Sequence, residues 1–495
     1  MSVSRRRTLG ALIGAALSAA AIGGIATPAQ AAPAMLRGFT DLDTIQRNPA
    51  ERSLALEHLK HARATSLRIM WLWSEVERAK PADRTQARDP DAPIYDFSKL
   101  DALLRDLAAA GVTPLLEIHE APAWWEGPKR PRVSHRVPAG TWRPNPTAYA
   151  DFMTAVARRY SGSHPDPLRP GETLPRVRHW QLWNEPNLYN FLNPQWVRDG
   201  RRWRRVSPRL YKRLLNAGYE AVKSVARDNV VVSAGTAPFA EPWPGGPRMP
   251  AAAFWRALLC VDGREHPRAR DCRKDPAKFD ILAHHPYPIG PPGRKAINPD
   301  DVVIPDFPKL QKPLRVALAA GNVHPKRPKR IWATELSWDS RPPDPKGIPA
   351  VLQARYLAGT LYVLWRQGVR AMFWWNLRDD VRGHGWEYTL QSGVYLRGKT
   401  VAEDRPKPSL QAMRFPFVAY RRWENFRGHG RALLWGMAPR PGPVEIQRRH
   451  GERWRTIRRV RAGQDHVFKL RLAAGRGVRL RAVQDGEISV DAKVF

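Results

Sequence analysis

From residue 36 to about residue 420, short apolar runs recur at intervals of roughly 30 to 50 residues, with amphipathic stretches between them. The apolar runs predict strands at Met35–Phe39, Ser66–Trp71, Thr113–Ile118, Trp180–Trp183, Val230–Ala234, Asp280–Ala283, Ile331–Thr334 and Ala371–Trp375. Helical spacing predicts helices over Lys99–Ala110, Thr147–Tyr160, Ser207–Arg227 and Val351–Gln367. In the first of these, Leu100, Leu103, Leu104 and Leu107 share one face. Eight strands alternating with helices suit a closed parallel barrel, a (β/α)8 TIM barrel, better than an open doubly wound sheet. Pro/Arg-rich loops run from Glu126 to Pro146, Asn187 to Val206 and Pro286 to Pro313. Each follows a predicted strand, which places it on the C-terminal face where barrels carry their sites.

After about residue 425 the helical period stops and short alternating runs take over. Val444–Gln447, Trp454–Val460, Val467–Leu472 and Val478–Val483 predict antiparallel strands, joined by turns such as Gly475-Arg476-Gly477. The expected organisation is a signal segment over 1–31, a barrel over 32–424 and a small C-terminal antiparallel β-sandwich over 425–495.

Composition narrows the function classes. Of 495 residues 43% are hydrophobic, which is ample for a packed core and excludes a mainly disordered chain. The 20 tryptophans exceed ordinary core use, and flat amphipathic rings suit carbohydrate sites. Lys and Arg total 82 against 46 Asp and Glu, a formal charge of +36 spread along the whole chain. That excess fits either an anionic polymer as partner or a solvated arginine-rich surface. Zinc-finger spacing and a Walker-type loop are both missing, so no nucleic-acid partner is expected. From Arg427 onward 16 basic residues face 6 acidic ones, so the C-terminal module either docks on something negative or only buttresses the barrel.

The N-terminus bears on the compartment. Ser4-Arg5-Arg6-Arg7-Thr8-Leu9 resembles a twin-arginine export signal, with Thr8 where that motif prefers Phe. An apolar stretch from Leu9 to Ala26 and the small-x-small site Ala29-Gln30-Ala31 follow. The expectation is a secreted or cell-envelope protein, monomeric and beginning at Ala32; a permanent anchor is the alternative. Nothing later is apolar enough to span a bilayer. The only two cysteines, Cys260 and Cys272, exclude a disulfide-dense scaffold. Outside the cytosol they can close a loop worth roughly 3 kcal/mol; otherwise they are two buried thiols.

Two segments carry chemistry. Trp180-Gln181-Leu182-Trp183-Asn184-Glu185-Pro186-Asn187 is a strand ending in Asn-Glu, where proline enforces a turn at the C-terminal rim. Ile331-Trp332-Ala333-Thr334-Glu335-Leu336-Ser337-Trp338 is again an apolar strand ending in a carboxylate. The two glutamates stand 150 residues apart, three strand–helix units, so strands four and seven bring them together across the barrel mouth. Two converging carboxylates are what acetal hydrolysis needs: one protonates the leaving oxygen, the other attacks the anomeric carbon.

With these segments in place, residues 36 to 420 resemble the clan A glycoside hydrolases, retaining (β/α)8-barrel enzymes. Asn184-Glu185 matches that clan's acid/base after strand four, and Glu335 its nucleophile after strand seven. Arg68 on strand two, His119 ending strand three, His285-Pro286-Tyr287 on strand six and Trp375-Asn376-Leu377 on strand eight match further elements in order. The tail Gln391-Ser392-Gly393 with Arg405-Pro406-Lys407-Pro408 resembles a post-barrel segment of cellulase-like members. The resemblance implies an exported retaining O-glycosyl hydrolase acting on β-linked oligo- or polysaccharides, neutral or acidic, nearest the cellulase-like and β-xylosidase/iduronidase-like members. A noncatalytic polysaccharide- or envelope-binding barrel is the rival from another class, and a transglycosylase would use the same residues.

Glu185 is expected to be protonated, raised by a partly dry pocket and by Glu335; Glu335 is expected to stay ionised beside Arg68 and Tyr287. Asn184 would bind the sugar 2-hydroxyl and Trp375 would form a sugar platform. His119 and His285 are either hydrogen-bonding members of the site or plain structural histidines. Strand alternation is taken to turn Glu117 away from the mouth, while Glu120, Asp379 and Asp380 are placed near the cleft. Trp71, Trp73, Trp124, Trp125, Trp338 and Trp386 are candidates for stacking on sugars or for packing. No metal or other cofactor is expected, since no His/Asp/Glu cluster has metal-ligand spacing.

Overall fold

The computed structural model describes residues 34–381, 390–424 and 430–494. The expected signal segment, 1–31, and Trp386 lie outside them. Eight parallel strands close into a barrel: β1 (Leu36–Thr40), β2 (Ser66–Leu72), β3 (Thr113–His119), β4 (His179–Leu182), β5 (Val230–Ser233), β6 (Ile281–His284), β7 (Arg330–Ala333) and β8 (Ala371–Trp375). Closure runs from β1 to β8, with Leu36 beside Ala371 and Thr40 beside Trp375. Each strand is followed by a helix: α1 (Arg52–His61), α2 (Ser98–Ala109), α3 (Pro146–Arg159), α4 (Ser207–Val225), α5 (Ala251–Leu258), α6 (Pro308–Ala319), α7 (Ala350–Arg366) and α8 (Pro408–Arg414).

Local chemistry explains the helix starts and faces. The Asn145 side chain accepts from the Thr147 and Ala148 amides at 2.9 and 3.2 Å, and Pro146 opens α3. On α2 the four leucines at 100, 103, 104 and 107 are all buried against the barrel. The strands alternate: one set of side chains meets the helices, the other fills the barrel. The filling begins with an apolar layer of Leu115, Val232, Ile281, Ala283, Trp332, Ala371 and Phe373. Among the described residues no helix is long and apolar enough to cross a membrane.

The loop after β4 carries a two-stranded hairpin, Trp196–Asp199 with Arg202–Arg205. The loop after α5 is closed by a Cys260–Cys272 disulfide, with 6.3 Å between the Cα atoms. After β8, buried ion pairs tie the returning chain down. Arg378 meets Asp404 at 2.6 Å, and Lys407 meets Asp379 at 2.5 Å.

The C-terminal part forms two antiparallel sheets. The first has β9 (Phe417–Glu424), β10 (Gly430–Met437) and β13 (Val467–Ala473), in that order. The second runs β12 (Arg453–Ala462), β11 (Gly442–His450), β14 (Arg479–Gln484) and β15 (Glu487–Ile488), with β16 (Ala492–Lys493) on β14. Because β9 pairs with β10, the sheets start at Phe417, ahead of the 424/425 boundary that the change of periodicity suggests. Phe417, Leu434 and Phe468 of the first sheet share an apolar cluster with Ile446, Leu480 and Ala482 of the second. The first sheet's other face meets the barrel, where Trp435 packs on Tyr362 and Trp365 of α7 with ring centres 5.5 and 5.8 Å apart.

Candidate active site

The strand-four motif is held in an uncommon backbone. Trp183 and Glu185, on either side of Asn184, have φ of +76° and +31°, a region that costs a non-glycine residue about 1–3 kcal/mol. The turn is pinned from three sides. The Trp183 amide donates to Ile118 O at 3.0 Å, and the Glu185 amide donates to Gly235 O at 3.0 Å. The Asn187 side chain bonds the Ala237 amide and the Ala237 and Met249 carbonyls at 2.9–3.0 Å. Strand β4 is thereby locked to the loop after β5, and Glu185 is set at the rim.

Arg68 is the hub beneath it. Fully buried on β2, it donates to Glu335 Oε1 at 2.5 Å, Gln181 Oε1 at 2.6 Å and Asn184 Oδ1 at 2.9 Å. Glu117 Oε2 lies 3.7 Å from its guanidinium. The second oxygen of Glu335 accepts from the Tyr287 hydroxyl at 3.1 Å. His285 Nδ1 stands 2.8 Å from Glu185 Oε1 and 3.6 Å from Glu335 Oε1. Its Nε2 is buried without a hydrogen-bond partner among the described residues, which favours the neutral tautomer with its proton on Nδ1, facing the carboxylates. The ring reaches this place because position 235 is glycine: a Cβ there would sit 2.0 Å from Nε2.

Electrostatics separates the two glutamates. Burial pushes Glu185 up to about 7; Arg68 opposes this and Glu117 adds to it. Burial also raises Glu335, but His285 and Arg68 beside it act in the opposite sense. Arg68 bonds Glu335 and not Glu185, a contact that favours the charged form of Glu335 over that of Glu185. Burial holds His285 neutral, down to about 4. Glu117 is a like charge that adds to the upward push on Glu185, and Glu185 and Glu335 repel each other across the site.

The structure corrects the placing of Glu117. Residues 115, 117 and 119 of β3 share one face, so Glu117 points into the barrel with His119 and bonds its Nδ1 at 2.9 Å. His119 is therefore joined to the Arg68 cluster through Glu117. Glu120, at φ +60°, accepts from Ser74. Asp379 is taken up by Lys407, and Asp380 by Asn376 and the Leu390 amide, so both serve the segment after β8. Trp375 is half-buried at the end of β8. Trp71, Trp73 and Trp338 are buried in the core. Trp73, Trp124 and Trp125 all aim their indole N–H at the buried carboxylate of Glu77, at 2.6–3.0 Å.

Gln181 and Asn187 went unassigned in the sequence, though both stand in the strand-four motif as polar residues among apolar ones. Glu185, His285 and Glu335 bring ligand-type atoms within 4.8 Å of one another, the one such group among the described residues. Arg68 already serves as the cation of this group, which disfavours a metal ion beside it.

No family model matches the chain, and no curated protein matches it in sequence. Among solved structures it is similar to a family 39 glycoside hydrolase from the gut symbiont Bacteroides cellulosilyticus WH2, at 17% identity and a TM-score of 0.53, over 89% of this chain and 79% of that one. It is also similar to SrfJ from Salmonella typhimurium, at 13% identity and a TM-score of 0.50, over 90% of this chain and 88% of that one. At these identities the likeness is one of fold, and it gives the resemblance to clan A glycoside hydrolases a shared eight-stranded barrel.

Proposed function

We propose that the chain is a retaining glycosidase that cleaves β-linked glycosides or polysaccharides by double displacement. The observation that carries the reading is the pairing of Glu185 and Glu335. Their facing oxygens lie within 4.8 Å, on the retaining side of the roughly 5–5.5 Å against 6.5–9.5 Å division between the two mechanisms. One carboxyl keeps its proton and the other its charge.

In the first step a Glu335 oxygen bonds to the anomeric carbon as the glycosidic C–O bond breaks, and the Glu185 proton goes to the leaving oxygen. In the second, water gives a proton to Glu185 and its oxygen displaces Glu335 from the sugar. Arg68 and Tyr287 each hold one oxygen of Glu335 and keep it aimed. Arg68 also orients Asn184 for the 2-hydroxyl, and Trp375 offers a ring for stacking. The Cys260–Cys272 bond supports an exported protein with a signal over 1–31, and the shared apolar cluster supports reading the two C-terminal sheets as a sandwich.

A panel of aryl β-glycosides and soluble polysaccharides tests the reading. The parent should turn over at least one; Glu335→Ala should not, and azide or formate should restore it. Activity of Glu335→Ala equal to the parent's, without added nucleophile, would contradict the assignment.

A further inference from the structure

A basic groove runs outside the catalytic cluster and shares no residue with it. Three cavities of about 660, 280 and 640 Å3 adjoin. Arg205 and Arg270 line both the first and the second, and Arg256 and Arg264 both the second and the third. Ten lysines and arginines line the three together, against four carboxylates. Six of these cations are already paired: Lys212 with Asp275, Arg270 with Asp262, Arg204 with Asp199, Lys309 with Asp306, and Arg256 and Arg264 both with Asp300. Arg209 has no carboxylate partner among the described residues. Arg205 has none either, and its guanidinium is held below its usual range by burial and by Arg256. The cations without a carboxylate partner among the described residues, Arg205 and Arg209 at the first cavity and Lys295 and Lys312 at the third, leave a positive potential that attracts an anion.

The hairpin after β4 adds the second element. Trp196 opposes Arg205 and Arg198 opposes Trp203, so indoles and guanidiniums share one face of the ribbon. Trp203 is 45% exposed, and both tryptophans line the first cavity. Flat apolar rings beside forked cations match a sugar ring that carries an acid group: the ring stacks, the acid takes the bidentate contact. Three adjoining cavities of this volume hold far more than a single small anion.

We propose that this groove binds an anionic polysaccharide, a uronate- or sulfate-bearing chain, at a site separate from the Glu185–Glu335 pair. Binding here needs no turnover, so the inference stands or falls independently of the glycosidase reading. The test is direct binding to the full chain of polygalacturonate, dextran sulfate and neutral dextran, at 0.1 M and 1 M salt. Either or both anionic polymers should bind at low salt, identifying carboxylate or sulfate as the group read, and should be released at high salt; neutral dextran should not bind. The Arg205→Ala/Arg209→Ala double variant, checked for an unchanged melting temperature, should lose about tenfold or more in affinity. Trp203→Ala should weaken binding as well, while Arg453→Ala/Arg455→Ala on the basic strand β12 should not. Full binding by the groove variants, loss only in the β12 variant, equal binding of neutral dextran, or no binding at low salt would each overturn the proposal. Equal affinity for single-stranded DNA would overturn the saccharide assignment.

Discussion

The inside of the barrel has two halves, built from the same strands and unlike in chemistry. At the N-terminal end Leu115, Ile281, Ala283, Trp332, Ala371 and Phe373 pack as an apolar layer. Further along the same strands, alternation brings Glu117 and His119, His285, Thr334 and Trp375 to the same inner face, joined by Arg68 and Gln181. The lower half needs only shape and volume. The upper half buries charge, which is tolerated because each charged group has a partner: Arg68 reaches three acceptors, and both Glu335 oxygens are bonded. Stability is concentrated below and poised protonation above, and the two layers are one residue pair apart on a strand.

That division can be broken in several ways. Glu185→Ala should slow substrates with poor leaving groups by about 10²–10⁴-fold while sparing activated aryl glycosides, read as a steepened dependence of rate on leaving-group pKa. Arg68→Met removes the hub and strands Glu335 in a buried site. It should destabilise by about 3–5 kcal/mol in denaturant titration and abolish turnover together. Phe373→Ala in the lower layer should cost about 3–5 kcal/mol as well, yet leave the pH–rate profile of the folded enzyme unchanged. A profile that moved with Phe373→Ala would show the two layers to be coupled.

The smallest effect sharpens the upper half alone. The productive state needs Glu185 protonated and Glu335 ionised, so activity should fall as pH rises through about 7. Glu117 adds to the upward shift of Glu185. Glu117→Gln removes that like charge, so the Glu185 carboxyl should ionise more easily and the alkaline limb should move to lower pH. A limb that stayed in place or moved up would deny Glu117 this influence.

Much of this was legible in the chain. The eight barrel strands fall within one residue of the ends read from apolar runs, because a buried parallel strand is a short continuous apolar segment. The site was less legible, for identifiable reasons. Glu117 shares its parity with His119, so period-two alternation sends both inward, yet a carboxylate beneath the mouth reads as out of place until Arg68 is seen beside it. Three tryptophans read as rings for stacking on sugars or for packing all point their N–H groups at Glu77, a partner distant from two of them in sequence. Strand β9 follows directly on α8, and only its pairing with β10 separates it from the barrel.

The central claim is that Glu335 attacks the sugar while Glu185 gives up its proton. Proton NMR of the first-formed product, recorded before mutarotation, tests it most directly on whichever glycoside the substrate panel identifies. The account predicts that the anomeric configuration of the substrate is retained, as two successive displacements at one carbon require. An inverted product would mean that water attacks directly, and would contradict the roles assigned to both carboxylates.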